Sequence, residues 1–82
     1  MYNFEGKLAV ITGASIGLGM GFAEALAKRG CNLVLVARTQ SKLINLQQRL
    51  SQDTGATIDI VPLDLARPDA PLYLYRTIKE KG

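Results

Sequence analysis

Lys7-Leu8-Ala9-Val10-Ile11-Thr12-Gly13-Ala14-Ser15-Ile16-Gly17-Leu18-Gly19 is the stretch whose reading decides the fold. Its first half is a short apolar run ending in glycine, which reads as a strand buried on both faces. Its second half is a glycine-rich turn. Beyond it, Leu18, Phe22 and Leu26 recur at helical spacing, and Ala23, Ala25 and Ala27 favour helix. Lys28-Arg29 closes the last turn of that helix, and Gly30 supplies a left-handed cap.

Working outward, Asn32 to Ala37 is a second buried strand, with Leu33-Val34-Leu35-Val36 at its centre. Thr39 or Ser41 can cap a second helix that carries Leu43, Leu46 and Leu50 on one face and ends at Gly55. Thr57 to Val61 reads as a third strand stopped by Pro62. Asp69 then precedes Ala70-Pro71, a cap followed by an early-turn proline. Leu72, Tyr75 and Ile78 are expected to form the inner stripe of a third helix running to Lys81. Buried strands alternating with helices imply parallel pairing and right-handed crossovers. The fold class is therefore α/β, the first βαβαβα half of a Rossmann-type doubly wound parallel sheet with strand order 3-2-1. Residues 1–82 are expected to form one truncated dinucleotide-binding domain, carrying the first half of such a sheet without the second.

Composition sets limits on function. The 82 residues are 48% hydrophobic and 21% charged, which excludes a disordered or collagen-like chain. A net charge of +3, spread from Lys7 to Lys81 without interleaved aromatics, gives no footprint for nucleic acid. Histidine is absent, so Ser-His and Cys-His catalysis are impossible within the chain. The lone Cys31 offers neither an internal disulfide nor a metal cluster and is expected to be a small buried packing residue. Leu8 to Ala27 carries a single charge, but its glycines and the Glu24 carboxylate argue against a membrane span. Met1 to Glu5 lacks the charged-then-apolar order of a signal peptide, so a cytoplasmic location is expected.

The glycine turn carries the first chemistry. Gly13 permits a tight turn, Gly17 lets backbone approach a pyrophosphate, and Gly19 lets the helix pack against the strand. Free N–H groups and the dipole at the helix start attract phosphate charge. The spacing is Thr-Gly-x-x-x-Gly-x-Gly, from Thr12 to Gly19, and here the sequence resembles the short-chain dehydrogenase/reductase family. Asn32 to Arg38 and Asp64-Leu65 also fall where that family has its second strand and its adenine-contacting aspartate. The wording from Leu33 to Leu43 is similar to the family's fatty-acyl and steroid ketoreductase branches. The resemblance implies cofactor contacts at Gly13, Ser15, Ile16, Gly17, Leu18 and Gly19.

Arg38 bears on the choice of cofactor. Folds selective for NAD place an acidic residue about 20 positions beyond the glycine turn, where it binds the ribose hydroxyls. A guanidinium cannot accept those hydrogen bonds, but it can grip a 2′-phosphate. NADP(H) is thus favoured over NAD(H), unless Arg38 is merely a solvated strand-end residue. The resemblance implies added hydroxyl contacts from Thr39 and Ser15. It also implies that Asp64 accepts from the adenine amino group while the Leu65 N–H contacts the ring.

The family's chemistry is hydride transfer between nicotinamide and a carbonyl or alcohol, with a tyrosine, a lysine and a serine on later strands and helices. No catalytic residue is assigned here. Tyr75 and Lys79 match the family's Tyr-x-x-x-Lys spacing, but they come two strands too early, and Tyr75 is expected to pack. Two readings follow: the NADP(H)-binding portion of an oxidoreductase without turnover of its own, or a non-catalytic nucleotide-binding or assembly module. With no fourth strand beside it, Leu8 to Thr12 is expected to be an open edge that drives homo-oligomerisation or aggregation.

Overall fold

The computed structural model describes residues 6–14 and 17–81. The apolar runs form β1 (Leu8–Thr12), β2 (Asn32–Ala37) and β3 (Ile58–Pro62). The helices between and after them are α1 (Gly17–Lys28), α2 (Gln40–Thr54) and α3 (Ala70–Lys81). β2 lies between β1 and β3, and both pairings are parallel, which gives the 3-2-1 order. Leu8 pairs with Asn32 and Thr12 with Val36 on one side of β2. Leu33 pairs with Ile58 and Ala37 with Pro62 on the other.

Alternation along the strands divides the core into two layers. Leu33, Leu35, Ile11 and Ile58 lie under α1 and α2, against Ala23, Ala27, Leu43, Leu46 and Leu50. Val34, Val36 and Val61 point the other way, under Ala70 and the half-buried Leu74 of α3. β2 is covered on both faces, which is why its sequence is continuously apolar. Each fully buried leucine of this core, such as Leu43, contributes on the order of 1.5–3 kcal/mol. Cys31 is buried in the larger layer, in keeping with a packing role.

The helix ends follow the sequence closely. Gly30 and Gly55 adopt φ of +86° and +73°, and their N–H groups donate to the Ala27 and Ser51 carbonyls at 3.0 and 2.9 Å. Thr39 occupies the N-cap of α2, but its side chain makes no capping hydrogen bond. Pro62 is the last residue of β3 rather than the residue that stops it, a place an edge strand allows because no ladder donor is needed there.

Three expectations about burial need correction. β1 is not buried on both faces: Leu8 and Val10 are 44% and 39% exposed, because α3 covers β2 and β3 and does not reach the edge strand. On α1 the buried residues are Ala23 and Ala27, whose small side chains let the helix sit close to the sheet. Leu18 and Phe22 are exposed and Leu26 is half-buried. On α3 the inner stripe is Ala70 and Leu74, continued by the half-buried Thr77 and Ile78. Leu72 and Tyr75 are exposed, since they lie off the arc that Ala70 and Leu74 turn toward Val34 and Val61. Among the described residues no helix is long and apolar enough to cross a membrane.

Candidate dinucleotide-binding site

The glycine turn leaves β1 at Gly13, with φ of +65°, a conformation that costs glycine little and other residues more. The Ala14 N–H donates to the Val36 carbonyl at 3.2 Å, which ties the turn to the end of β2. Gly17 opens α1 with φ of +50°, and a Cβ there would meet only open space. Gly19 is different. A Cβ on it would clash with the Gly13 carbonyl oxygen and lie 2.8 Å from its carbonyl carbon. Glycine at 19 thus lets the first turn of α1 rest directly on the bend at Gly13. Ser15 and Ile16 lie outside the described residues.

Beside this turn, the carboxyl ends of the strands enclose an open cavity of about 340 Å³. Gly13, Arg38, Thr39, Asp64 and Leu65 all line it, so the structure brings together five of the sequence-derived positions. Open α/β sheets bind ligands in the crevice at the carboxyl ends of their strands. Gly17, Leu18 and Gly19 do not line this cavity. Leu18 and Gly19 instead border an apolar groove along β1 with Val10, Phe22 and Leu26.

The charges of the cavity are arranged with some order. Arg38 directly follows β2, and its guanidinium has no hydrogen bond or ion pair among the described residues. One oxygen of the half-buried Asp64 accepts from the Ala66 N–H at 2.9 Å, and the Arg67 N–H donates to the Asp64 carbonyl at 3.1 Å. This local turn holds the carboxylate in place and leaves its acceptor capacity unfilled. Lys42, in the first turn of α2, also lines the cavity and was not singled out from sequence. Its spacing of four residues from Arg38 was the available signal.

This constellation can hold an adenosine with an added phosphate: cations for the phosphate, a carboxylate for an amino group, and glycine where backbone must approach. A family profile described as short chain dehydrogenase matches residues 7–82. The chain belongs to the short-chain dehydrogenase family. A very-long-chain 3-oxoacyl-CoA reductase of Kluyveromyces lactis is 42% identical over 69 residues, 84% of this chain and 20% of the relative. The structure of L-sorbose reductase from Gluconobacter frateurii, complexed with NADPH and L-sorbose, superposes with a TM-score of 0.90 at 35% identity. The match covers 95% of this chain and 30% of that one. A short-chain dehydrogenase/reductase from Burkholderia phymatum in complex with NAD gives 0.85 at 35% identity, over 98% of this chain and 28% of the other. The chain therefore spans a fifth to a third of these family members.

Neither Tyr75 nor Lys79 lines this cavity. Tyr75 is 61% exposed on α3, and the Lys79 ammonium sits 5.8 Å from its ring centroid. The match to the family's Tyr-x-x-x-Lys spacing is thus a surface cation–π contact. The expectation that Tyr75 packs in the core is corrected.

Proposed function

We propose that the chain is the adenine-nucleotide-binding portion of an NADP(H)-dependent oxidoreductase, one that transfers hydride between the nicotinamide and a carbonyl or alcohol substrate. The single observation that supports it best is the cavity where Arg38, Thr39 and Asp64 meet the Gly13 turn at the carboxyl ends of the strands. In this reading Gly13, Ser15, Ile16, Gly17, Leu18 and Gly19 form the turn against the pyrophosphate. Arg38 and Thr39 hold the 2′-phosphate, Asp64 accepts from the adenine amino group, and the Leu65 N–H contacts the ring. When bound, the cofactor would give hydride to a carbonyl or take it from an alcohol. The chain's own residues only bind and orient its adenosine end, and no residue of the chain is assigned to catalysis. A cytoplasmic location belongs to the same reading.

Titration calorimetry with 2′,5′-ADP and 5′-AMP tests the reading. Tighter binding of 2′,5′-ADP is expected, and equal affinities overturn the NADP(H) assignment.

A second reading, an assembly module, is favoured by one observation. Val10, Leu18 and Phe22 are exposed and line one apolar groove along β1 and α1, and Leu8 of the same strand is exposed too, while among the described residues β1 pairs only with β2.

A further inference from the structure

The two edges of the sheet are unequal. On β3, parallel pairing turns the backbone groups of Asp59 and Val61 toward β2, so those of Ile58, Ile60 and Pro62 turn outward. The Gln47 side-chain amide, from α2, donates to the outward Ile58 carbonyl, and Pro62 has no N–H to offer. A strand arriving there finds only Ile60 with both a donor and an acceptor. β1 has no such seal. The Asn32 N–H donates to the Lys7 carbonyl at 2.8 Å, so the alternate residues Leu8, Val10 and Thr12 turn their backbone groups away from β2. Among the described residues no further strand takes them.

The surface beside that edge fits a copy of itself. Among the described residues no charged side chain lines the groove that β1 shares with Leu18, Phe22 and Leu26, so a charged partner would find no counter-charge there. A twofold axis normal to the sheet at Val10 sets β1 antiparallel to its counterpart, with Val10 opposite Val10 and Leu8 opposite Thr12. This register uses all three outward residues, whereas a shift of two leaves Leu8 or Thr12 out. It also holds the two Lys7 residues about 20 Å apart, at about 3.4 Å per residue, beyond the Debye length of about 8–10 Å. Parallel pairing in register would set them side by side. The same axis brings the two α1 helices together on one face of the sheet. Because α1 packs on both β1 and β2, the helix pair would stand two strand spacings apart, about 10 Å. Helices pack at about 8–10 Å. Leu18 and Phe22, both exposed, would then meet their counterparts.

We infer that the chain forms a closed dimer through β1, a continuous sheet in the order 3-2-1-1-2-3 whose outer edges are the two sealed β3 strands. This gives the assembly reading above its occupant, a second copy, and rests on that reading rather than on the nucleotide one. The seal on β3 is what stops growth at two copies.

The experiment is sedimentation equilibrium of the chain from low to high micromolar concentration, joined to mild oxidation of variants with an introduced cysteine. The parent is expected to reach twice its monomer mass and to stop there. Val10→Cys is expected to cross-link with itself, since residues paired in this way bring their Cα atoms to about 5.5 Å, inside the disulfide range. Leu8→Cys and Thr12→Cys are expected to link when mixed and not alone. Ile60→Cys, on the outer edge of β3, is the control and is expected not to link, and the native Cys31 is buried. A monomer at every concentration overturns the dimer and the assembly reading together. An open-ended series, or Ile60→Cys linking as readily as Val10→Cys, overturns the closed arrangement while association itself stands. Leu8→Cys linking with itself in preference to Thr12→Cys overturns the paired register.

Discussion

The Leu63 N–H donates to the Ala37 carbonyl at 2.9 Å, which fastens the segment after β3 to the end of β2. Arg38 and Asp64 each follow one of those bonded residues, so this contact is what sets them on one cavity. If Arg38 grips the 2′-phosphate, Arg38→Asp should reduce the preference for 2′,5′-ADP over 5′-AMP by about 1.5–3 kcal/mol, the range for hydrogen bonds to charged groups. Competition calorimetry reads the difference directly. An undiminished preference would remove Arg38 from the site.

Asp64 gives a separate test, because its carboxylate can accept from an amino group but not donate to a carbonyl. The chain should therefore bind 5′-AMP more tightly than 5′-IMP, whose ring carries oxygen in place of the amino group. Asp64→Ala should narrow that gap by about 1.5–3 kcal/mol, since the acceptor is then gone. The same change also loses the bond to the Ala66 N–H, so a uniform drop for both ligands would mean that Asp64 only shapes the loop.

Much of this was legible in the sequence, for reasons that can be named. β2 reads correctly because both its faces are buried, so Leu33 to Val36 cannot be anything but apolar. Gly30 and Gly55 mark helix ends because their left-handed φ has a steric cost for other residues. Leu43, Leu46 and Leu50 read correctly because α2 packs along its length. The failures arise where apolar residues have no cover. Leu72 and Tyr75 keep helical spacing yet face outward, and periodicity alone cannot say which of two apolar arcs a sheet will meet. That Lys42 lines the same cavity as Asp64 is not visible in the sequence, because the two are brought to one cavity only once β3 lies beside β2.

The contact between Gly19 and Gly13 predicts a stability defect. Gly19→Ala puts a methyl against the Gly13 carbonyl, a rigid backbone neighbour that must shift. The expected loss is about 1–3 kcal/mol, the usual range for overpacking, although alanine is the better helix former by about 1 kcal/mol. Chemical denaturation followed by circular dichroism measures it. A variant as stable as the parent would show that the turn rests less closely on α1 than these distances indicate.

The corrected face of α3 can be tested by two alanines. Leu74 packs on the layer of Val34, Val36 and Val61, whereas Tyr75 is exposed and touches Lys79. Leu74→Ala should cost about 2 kcal/mol, at the lower end for leucine because the residue is only half-buried. Tyr75→Ala should stay within about 0.5 kcal/mol, as surface changes do. The reverse order would restore the stripe of Leu72, Tyr75 and Ile78 as the inner face.

The edge of β1 carries the last prediction. β1 pairs only with β2, leaving one side of its backbone without a sheet partner among the described residues. Beside that edge, Leu8 and Val10 are partly bare, and Leu18 and Phe22 are 77% and 56% exposed, forming with Leu26 the flank of one apolar groove. An unpaired edge flanked by apolar surface is a template for another strand. A chain of this length can bury only a thin core, so the bare surface is not offset by a large stabilising surplus elsewhere. The chain should therefore self-associate as its concentration rises, and the association should weaken when charge is placed in the groove. Phe22→Glu is the informative variant: its side chain is exposed on α1, so folding should survive while the groove becomes unfavourable to cover. Val10→Lys probes the strand itself and should either solubilise the monomer or unfold it, given that Val10 is only 39% exposed. Light scattering with melting curves at increasing concentration separates these outcomes. A parent chain that stays monomeric and melts cooperatively at high micromolar concentration would show that the edge of β1 is tolerated without a partner.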